Sequence, residues 1–285
     1  MVSSLPLRDG AAIPAIGFGV YKVDDTEAET AVGLALEAGY RHVDTAEMYG
    51  NETGVGNAIR ASGLDRDDVF VTTKVWNDHQ GRDATLRAFD GSLERLGLDA
   101  VDLYLIHWPA AANDRYVDTW RALVELRDSG RARSIGVSNF QVPHLQRLVD
   151  ETGEAPVLNQ VERHPWLPQR ELMEFHQQHD IVTGAWSPLG RGRLIDEPIL
   201  TGIADAHGVS VAQVLVRWNV QQGVVVLPKS VTPSPDPVEP RRRRLRAQRR
   251  RARVDRHARV RAADGLAPRL GLVTWSVCDG VGSSG

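Results

Sequence analysis

Cysteine is nearly missing from this chain: Cys278 is the only one in 285 residues. A lone thiol cannot close an internal disulfide, so a disulfide-stapled scaffold is excluded and a reducing, cytoplasmic setting is expected. Long apolar runs are missing too. None approaches the roughly 20 residues needed to cross a bilayer, so no membrane span is expected. Met1 to Gly10 lack a basic-then-apolar layout, so no signal peptide is read. No G-x-S-x-G elbow occurs, which leaves a serine hydrolase unsupported. No Walker-type phosphate loop occurs either, and no G-x-G-x-x-G turn follows an apolar run.

What is present divides at Ser234. Residues 235–285 hold 13 arginines, no lysine and 5 acidic residues, a surplus of +8. The overall charge of −3 therefore leaves −11 on residues 1–234. One chain carries two compositions.

The first part alternates short β-branched runs with amphipathic stretches. Leu5–Arg8 and Ala11–Pro14 flank Asp9-Gly10, a hairpin signal. Eight strand-like runs follow: Ile16–Gly19, His42–Asp44, Val69–Lys74, Val101–Ile106, Ser134–Val137, Val157–Val161, Ile181–Ala185 and Val224–Leu227. Helical patterns separate them. In Glu27–Ala38, apolar residues fall at 28, 31, 32, 35 and 36, and Gly39 ends the pattern. Parallel strands need such crossovers, and eight of these units close naturally into a (β/α)8 TIM barrel of roughly 250 residues. The alternative is an open doubly wound sheet, which the missing glycine-rich turn disfavours.

A barrel places its chemistry just past the C-terminal ends of its strands. The polar residues cluster there. Asp44 ends the second strand and Tyr49 lies in the next loop. Lys74 ends the third and His107 the fourth. Asn139 follows the fifth, Gln160 closes the sixth, Trp186-Ser187 follow the seventh, and Lys229-Ser230 follow the eighth. Singly, such an Asp is more often a cap or turn former and such a Tyr more often packing. Their joint placement at one mouth is the signal. His176 and His179 sit three apart on a helical stretch, a spacing open to metal. With no third ligand at a sensible spacing they read as a solvated helix face, and no metal site is assigned.

These residues lie in segments that resemble a known family. Asp44-Thr45-Ala46-Glu47-Met48-Tyr49-Gly50-Asn51-Glu52, Thr73-Lys74-Val75-Trp76, Leu105-Ile106-His107-Trp108-Pro109 and Ile135-Gly136-Val137-Ser138-Asn139-Phe140 match the aldo-keto reductases in order and spacing. So do Asn159-Gln160-Val161-Glu162, Trp186-Ser187-Pro188-Leu189-Gly190 and Leu227-Pro228-Lys229-Ser230. The resemblance covers about residues 5–234 and looks closest to bacterial members of the 2,5-diketo-D-gluconate reductase kind.

The resemblance implies NADPH-dependent reduction of a small carbonyl compound by a monomer, with Asp44, Tyr49, Lys74 and His107 as the catalytic group. A phenol with a pKa near 10 is a poor acid at neutral pH. Lys74, held and kept charged by Asp44, is expected to lower it. His107 would donate to the carbonyl oxygen. By the same resemblance Ser138, Asn139 and Gln160 hold the carboxamide, and Trp186, where many members carry Tyr, stacks on the nicotinamide. Backbone amides around Ser187, Leu189 and Gly192 cradle the pyrophosphate, and Lys229 and Ser230 contact the 2′-phosphate. Tyr21, Trp76 and Trp108 would line an aromatic substrate pocket rather than the plain core.

After Ser234 the pattern stops. Pro233, Pro235, Pro237 and Pro240 preclude a regular helix, and Arg241–Arg244 and Arg249–Arg251 follow with almost no apolar periodicity. One reading is a nucleic-acid-binding arm on an idle barrel. A second is disorder. The preferred reading is an altered frame. Pro235 to Arg242 have permitted codons that, one base removed, encode Arg-Ile-Arg-Ser-Asn-Leu-Asp, which resembles the family's missing adenine-contacting segment. A nucleic-acid partner is then not expected. Pro235 and Glu239 would stand where the family has Arg and Asn, so weakened NADPH binding, an impaired reductase, is the consequence.

Overall fold

In the computed structural model, residues 3–228 are described. Lys229, Ser230 and residues 235–285, whose cofactor contacts and shifted frame are expected from the sequence, lie outside them. A hairpin comes first, β1 (Ser4–Pro6) against β2 (Ala12–Pro14). Eight parallel strands follow: β3 (Phe18–Gly19), β4 (His42–Asp44), β5 (Phe70–Val75), β6 (Val101–Ile106), β7 (Ala132–Ser138), β8 (Leu158–Glu162), β9 (Val182–Trp186) and β10 (Val225–Leu227). They pair in chain order from β3 to β10. The ring closes where Ile16 bridges Val226 in parallel, with Gly17 N donating to Val226 O (2.9 Å) and Val226 N to Ala15 O (2.8 Å). This is the expected (β/α)8 TIM barrel.

The intervening helices are α1 (Asp25–Glu37), α2 (Glu52–Ala61), α3 (Arg82–Leu96), α4 (Tyr116–Asp128), α5 (Val142–Thr152), α6 (Arg170–Gln178), α7 (Pro198–His207) and α8 (Val211–Val220). Caps set their ends. Asp24 accepts from Glu27 N (2.8 Å), so α1 starts two residues before the apolar pattern does. Gly97, at φ +64, stops α3.

Strand alternation sorts the core into two layers. On β6, Tyr104 and Ile106 join the layer between sheet and helices, while Leu103 and Leu105 fill the barrel interior with Leu158, Val225 and Leu227. Leu7 and Ile13 of the hairpin belong to the interior cluster. Asp9 accepts from Ser134 at the start of β7 (2.6 Å), so the hairpin caps the N-terminal end of the strands. The opposite end is left for chemistry. Among the described residues no single helix is long and apolar enough to cross a membrane.

Candidate active site

Val43, Val71 and Val75 face the helices, so alternation turns Asp44 and Lys74 into the barrel. Lys74 is fully buried. Its Nζ donates to Asp44 Oδ1 (2.7 Å) and Thr45 O (2.8 Å). The other carboxylate oxygen accepts from Gln160 Nε2 (2.7 Å). Burial lowers the Lys74 pKa, and the adjacent Asp44 opposes that shift. A buried ammonium without such a partner would be costly.

Tyr49 stands on a single 3₁₀ turn, Glu47–Tyr49, which Gly50 ends at φ +66. Asn51 anchors that loop. It accepts from Thr45 Oγ1 (2.7 Å) and donates to Val20 O (3.0 Å) and Val23 O (2.9 Å). The Tyr49 ring lies 5.3 Å from Lys74 Nζ and packs on Tyr21 at 5.1 Å and edge-on to His107 at 5.6 Å. Burial first, then Asp44 and Tyr21, pushes the phenol pKa well above its ordinary value. This corrects the expectation of a lowered value: Lys74 is already matched by Asp44, and desolvation of the phenolate dominates. The phenol is therefore held in its protonated, donating form.

His107 follows β6 directly. Burial, then the Lys74 charge, pushes its pKa down to about 3, so the ring is neutral at physiological pH. Its Nδ1 has no partner among the described residues. Asn139 adopts φ +64, a conformation Asn tolerates. Its amide donates to His107 O (2.9 Å) and Ser138 Oγ (3.0 Å), and it accepts from Trp186 Nε1 (2.9 Å). Tyrosine in place of Trp186 has no indole N–H for that bond. Ser138 Oγ in turn donates to Gln160 O (2.9 Å).

These groups open onto one cavity of about 480 Å³, within the usual range of ligand pockets. Asp44, Tyr49, His107, Ser138, Asn139, Gln160, Trp186, Ser187, Leu189 and Gly192 line it, with Tyr21 and Trp108 at its rim. Lys74 stands behind Asp44. Trp76 is a correction. It does not line the cavity but packs edge-on against His107, at 5.1 Å. The Gly192 amide donates within its own turn to Leu189 O (3.1 Å). A second correction is His176, which is buried rather than solvated. It bonds Asn159 Nδ2 (3.0 Å) and Thr183 Oγ1 (2.8 Å), while His179 stacks on Phe175. Among the described residues no three metal-ligating side chains converge.

The residue reading missed Lys22, Met48 and Arg191, which also line the cavity. A basic residue framed by Gly190 and Gly192 just past a strand was the available signal for Arg191. Its guanidinium sits 5.7 Å over the Trp186 ring. The donor set is thus graded. Hydroxyl, amide and indole groups stand at the barrel centre, Arg191 lies in a turn with positive φ at Gly190, Arg191 and Gly192, and Lys22 lines the same cavity. That suits a ligand with an aromatic carboxamide at one end and phosphates at the other.

The sequence matches the aldo/keto reductase family over residues 15–235. It is 51% identical to the glyoxal reductase of Bacillus subtilis over 229 aligned residues, covering 80% of this chain and 82% of that one. It is 49% identical to the methylglyoxal reductase DkgA of Yersinia pestis, covering 81% and 83%. Among solved structures, a variant of the protein Gox0644 in complex with NADPH superposes with a TM-score of 0.79 at 47% identity, covering 81% of this chain and 84% of that one.

Proposed function

The chain belongs to the aldo-keto reductase family, and we propose that it uses NADPH to reduce small aldehydes and ketones, α-dicarbonyls among them. One observation carries the reading. The Tyr49 phenol, a neutral His107 ring and Asp44, ion-paired to buried Lys74, line one cavity together with an indole and an amide that suit a nicotinamide. NADPH would be held by Ser138, Asn139, Gln160 and Trp186 at the ring and by Lys22 and Arg191 at its phosphates. When bound it supplies the hydride.

The protein's own part is the proton. As the carbonyl carbon gains a hydride, its oxygen becomes an alkoxide. Tyr49 gives that oxygen its phenolic proton, and the Lys74 ammonium stabilises the phenolate left behind. Neutral His107 donates a ring N–H to the same oxygen and orients it. Asp44 keeps Lys74 charged and in place. The two relatives named for glyoxal and methylglyoxal support a dicarbonyl substrate. A small carbonyl panel with NADPH, and NADH alongside, tests this by coenzyme oxidation at 340 nm; no turnover on any aldehyde sinks it.

Residues 235–285 form a separate compositional segment, which we read as the product of a shifted frame. The family match ending at residue 235 supports that boundary. The gene's nucleotide sequence tests it, and codons unable to give the shifted peptide refute it. Affinity for NADPH weaker than that of intact relatives follows from this reading.

A further inference from the structure

Glu47 belongs to none of the groups above, yet it joins two of them. It opens the 3₁₀ turn that carries Tyr49, and its side chain is largely buried, at 14% exposure. One carboxylate oxygen accepts from the backbone N–H of Trp76 (3.1 Å). The other bonds the His79 ring nitrogen Nδ1 (2.6 Å). Trp76 and His79 bracket the short turn Asn77–His79 just past β5. A single carboxylate therefore ties the Tyr49 turn to the segment that follows the Lys74 strand.

The consequence lies at His107. Its ring is flanked edge-on by Tyr49 at 5.6 Å and 75° and by Trp76 at 5.1 Å and 81°. Both flanking rings sit on the segments that Glu47 joins. Among the described residues no other side-chain hydrogen bond joins these two segments: Asn51 anchors the Tyr49 loop toward Val20 and Val23, and Gln80 reaches Trp108 O (2.7 Å). We propose that Glu47 is a positioning residue. By bridging Trp76 N and His79 it fixes the spacing of Tyr49, His107 and Trp76, and so the approach of the carbonyl oxygen to its two donors. This rests on the reading of Tyr49 as the proton donor. The plainer alternative is a cap that only steadies two surface turns.

The two differ in kinetics. A misplacement near 1 Å at the reacting groups can cost on the order of 100-fold in rate, whereas a steadying cap changes melting temperature and leaves turnover alone. The full chain is assayed by NADPH oxidation with methylglyoxal, and NADP⁺ binding is followed by tryptophan fluorescence. Glu47→Ala is expected to lower kcat about tenfold with NADP⁺ affinity within about twofold of the parent, since no coenzyme-facing group moves. Glu47→Gln keeps an oxygen for Trp76 N and an amide for His79, and is expected to restore kcat to within about threefold. Should Glu47→Ala fail to fold, Glu47→Asp replaces it, because the shorter side chain cannot reach both partners.

Tyr49→Phe is run in parallel. If it loses turnover while Glu47→Ala, or Glu47→Asp in its place, keeps kcat, the positioning role is wrong and the Tyr49 reading stands. If Glu47→Gln is as slow as Glu47→Ala, the bridging account is overturned as well. If Tyr49→Phe keeps full turnover, the underlying reading fails first.

Discussion

Lowering the pH from 7 to 5 should strip this chain of much of its stability, and the buried histidines set the amount. His42 and His176 are held down to a pKa of about 4, and His107 to about 3, in each case chiefly by burial. All three are neutral in the folded chain. In the unfolded chain each takes up a proton near pH 6.5. The unfolded state therefore binds more protons than the folded one from about pH 6.5 down to the folded values, and stability falls as pH falls through that window. For a group shifted from 6.5 to about 4, the loss between pH 7 and pH 5 is about 2 kcal/mol. Three such groups give about 6 kcal/mol, against a typical total of about 5–15 kcal/mol. Urea unfolding without coenzyme at pH 7 and pH 5 measures it. In His176→Gln the difference should shrink by about a third. A difference below about 1 kcal/mol, with two-state transitions at both values, would refute the assignment of neutral buried imidazoles.

Two further outcomes follow from packing and charge. Asp44→Asn leaves Lys74 buried without its anion; a loss of about 3–5 kcal/mol in the same assay is expected, with turnover lowered too. An unchanged urea midpoint would show that Lys74 does not depend on that charge. Gly136→Ala places a methyl 2.6 Å from Leu158 O and 2.8 Å from a Leu105 methyl. A loss of about 1–3 kcal/mol is expected, and a neutral result would mean that the β7–β8 contact yields readily.

Much of the architecture was legible because strands and their crossovers leave simple traces. Val101–Ile106 reads as a strand because β6 is buried on both faces and all its residues but Asp102 are apolar. The residues at the strand ends were legible for the same reason: once the strands are placed, Asp44, Lys74, His107 and Asn139 must share one end. What the sequence concealed depends on distances between side chains far apart in the chain. The bond from Trp186 to Asn139 spans 47 positions. Glu47 reaches Trp76 and His79 across 29 and 32. His176 has the spacing of a surface pair, but the α6–β9 packing buries it. At Tyr49 the sign of the pKa shift is set by how deeply the ring is buried, which motif matching does not weigh.

The central claim is that Tyr49 delivers the proton from a site otherwise built to bind and orient. The most direct test is the turnover of Tyr49→Phe with methylglyoxal at saturating NADPH, beside its NADPH affinity. The account predicts a fall of at least about 100-fold in kcat, the scale of general acid catalysis, with coenzyme affinity near that of the parent. Turnover within a few-fold of the parent would contradict it.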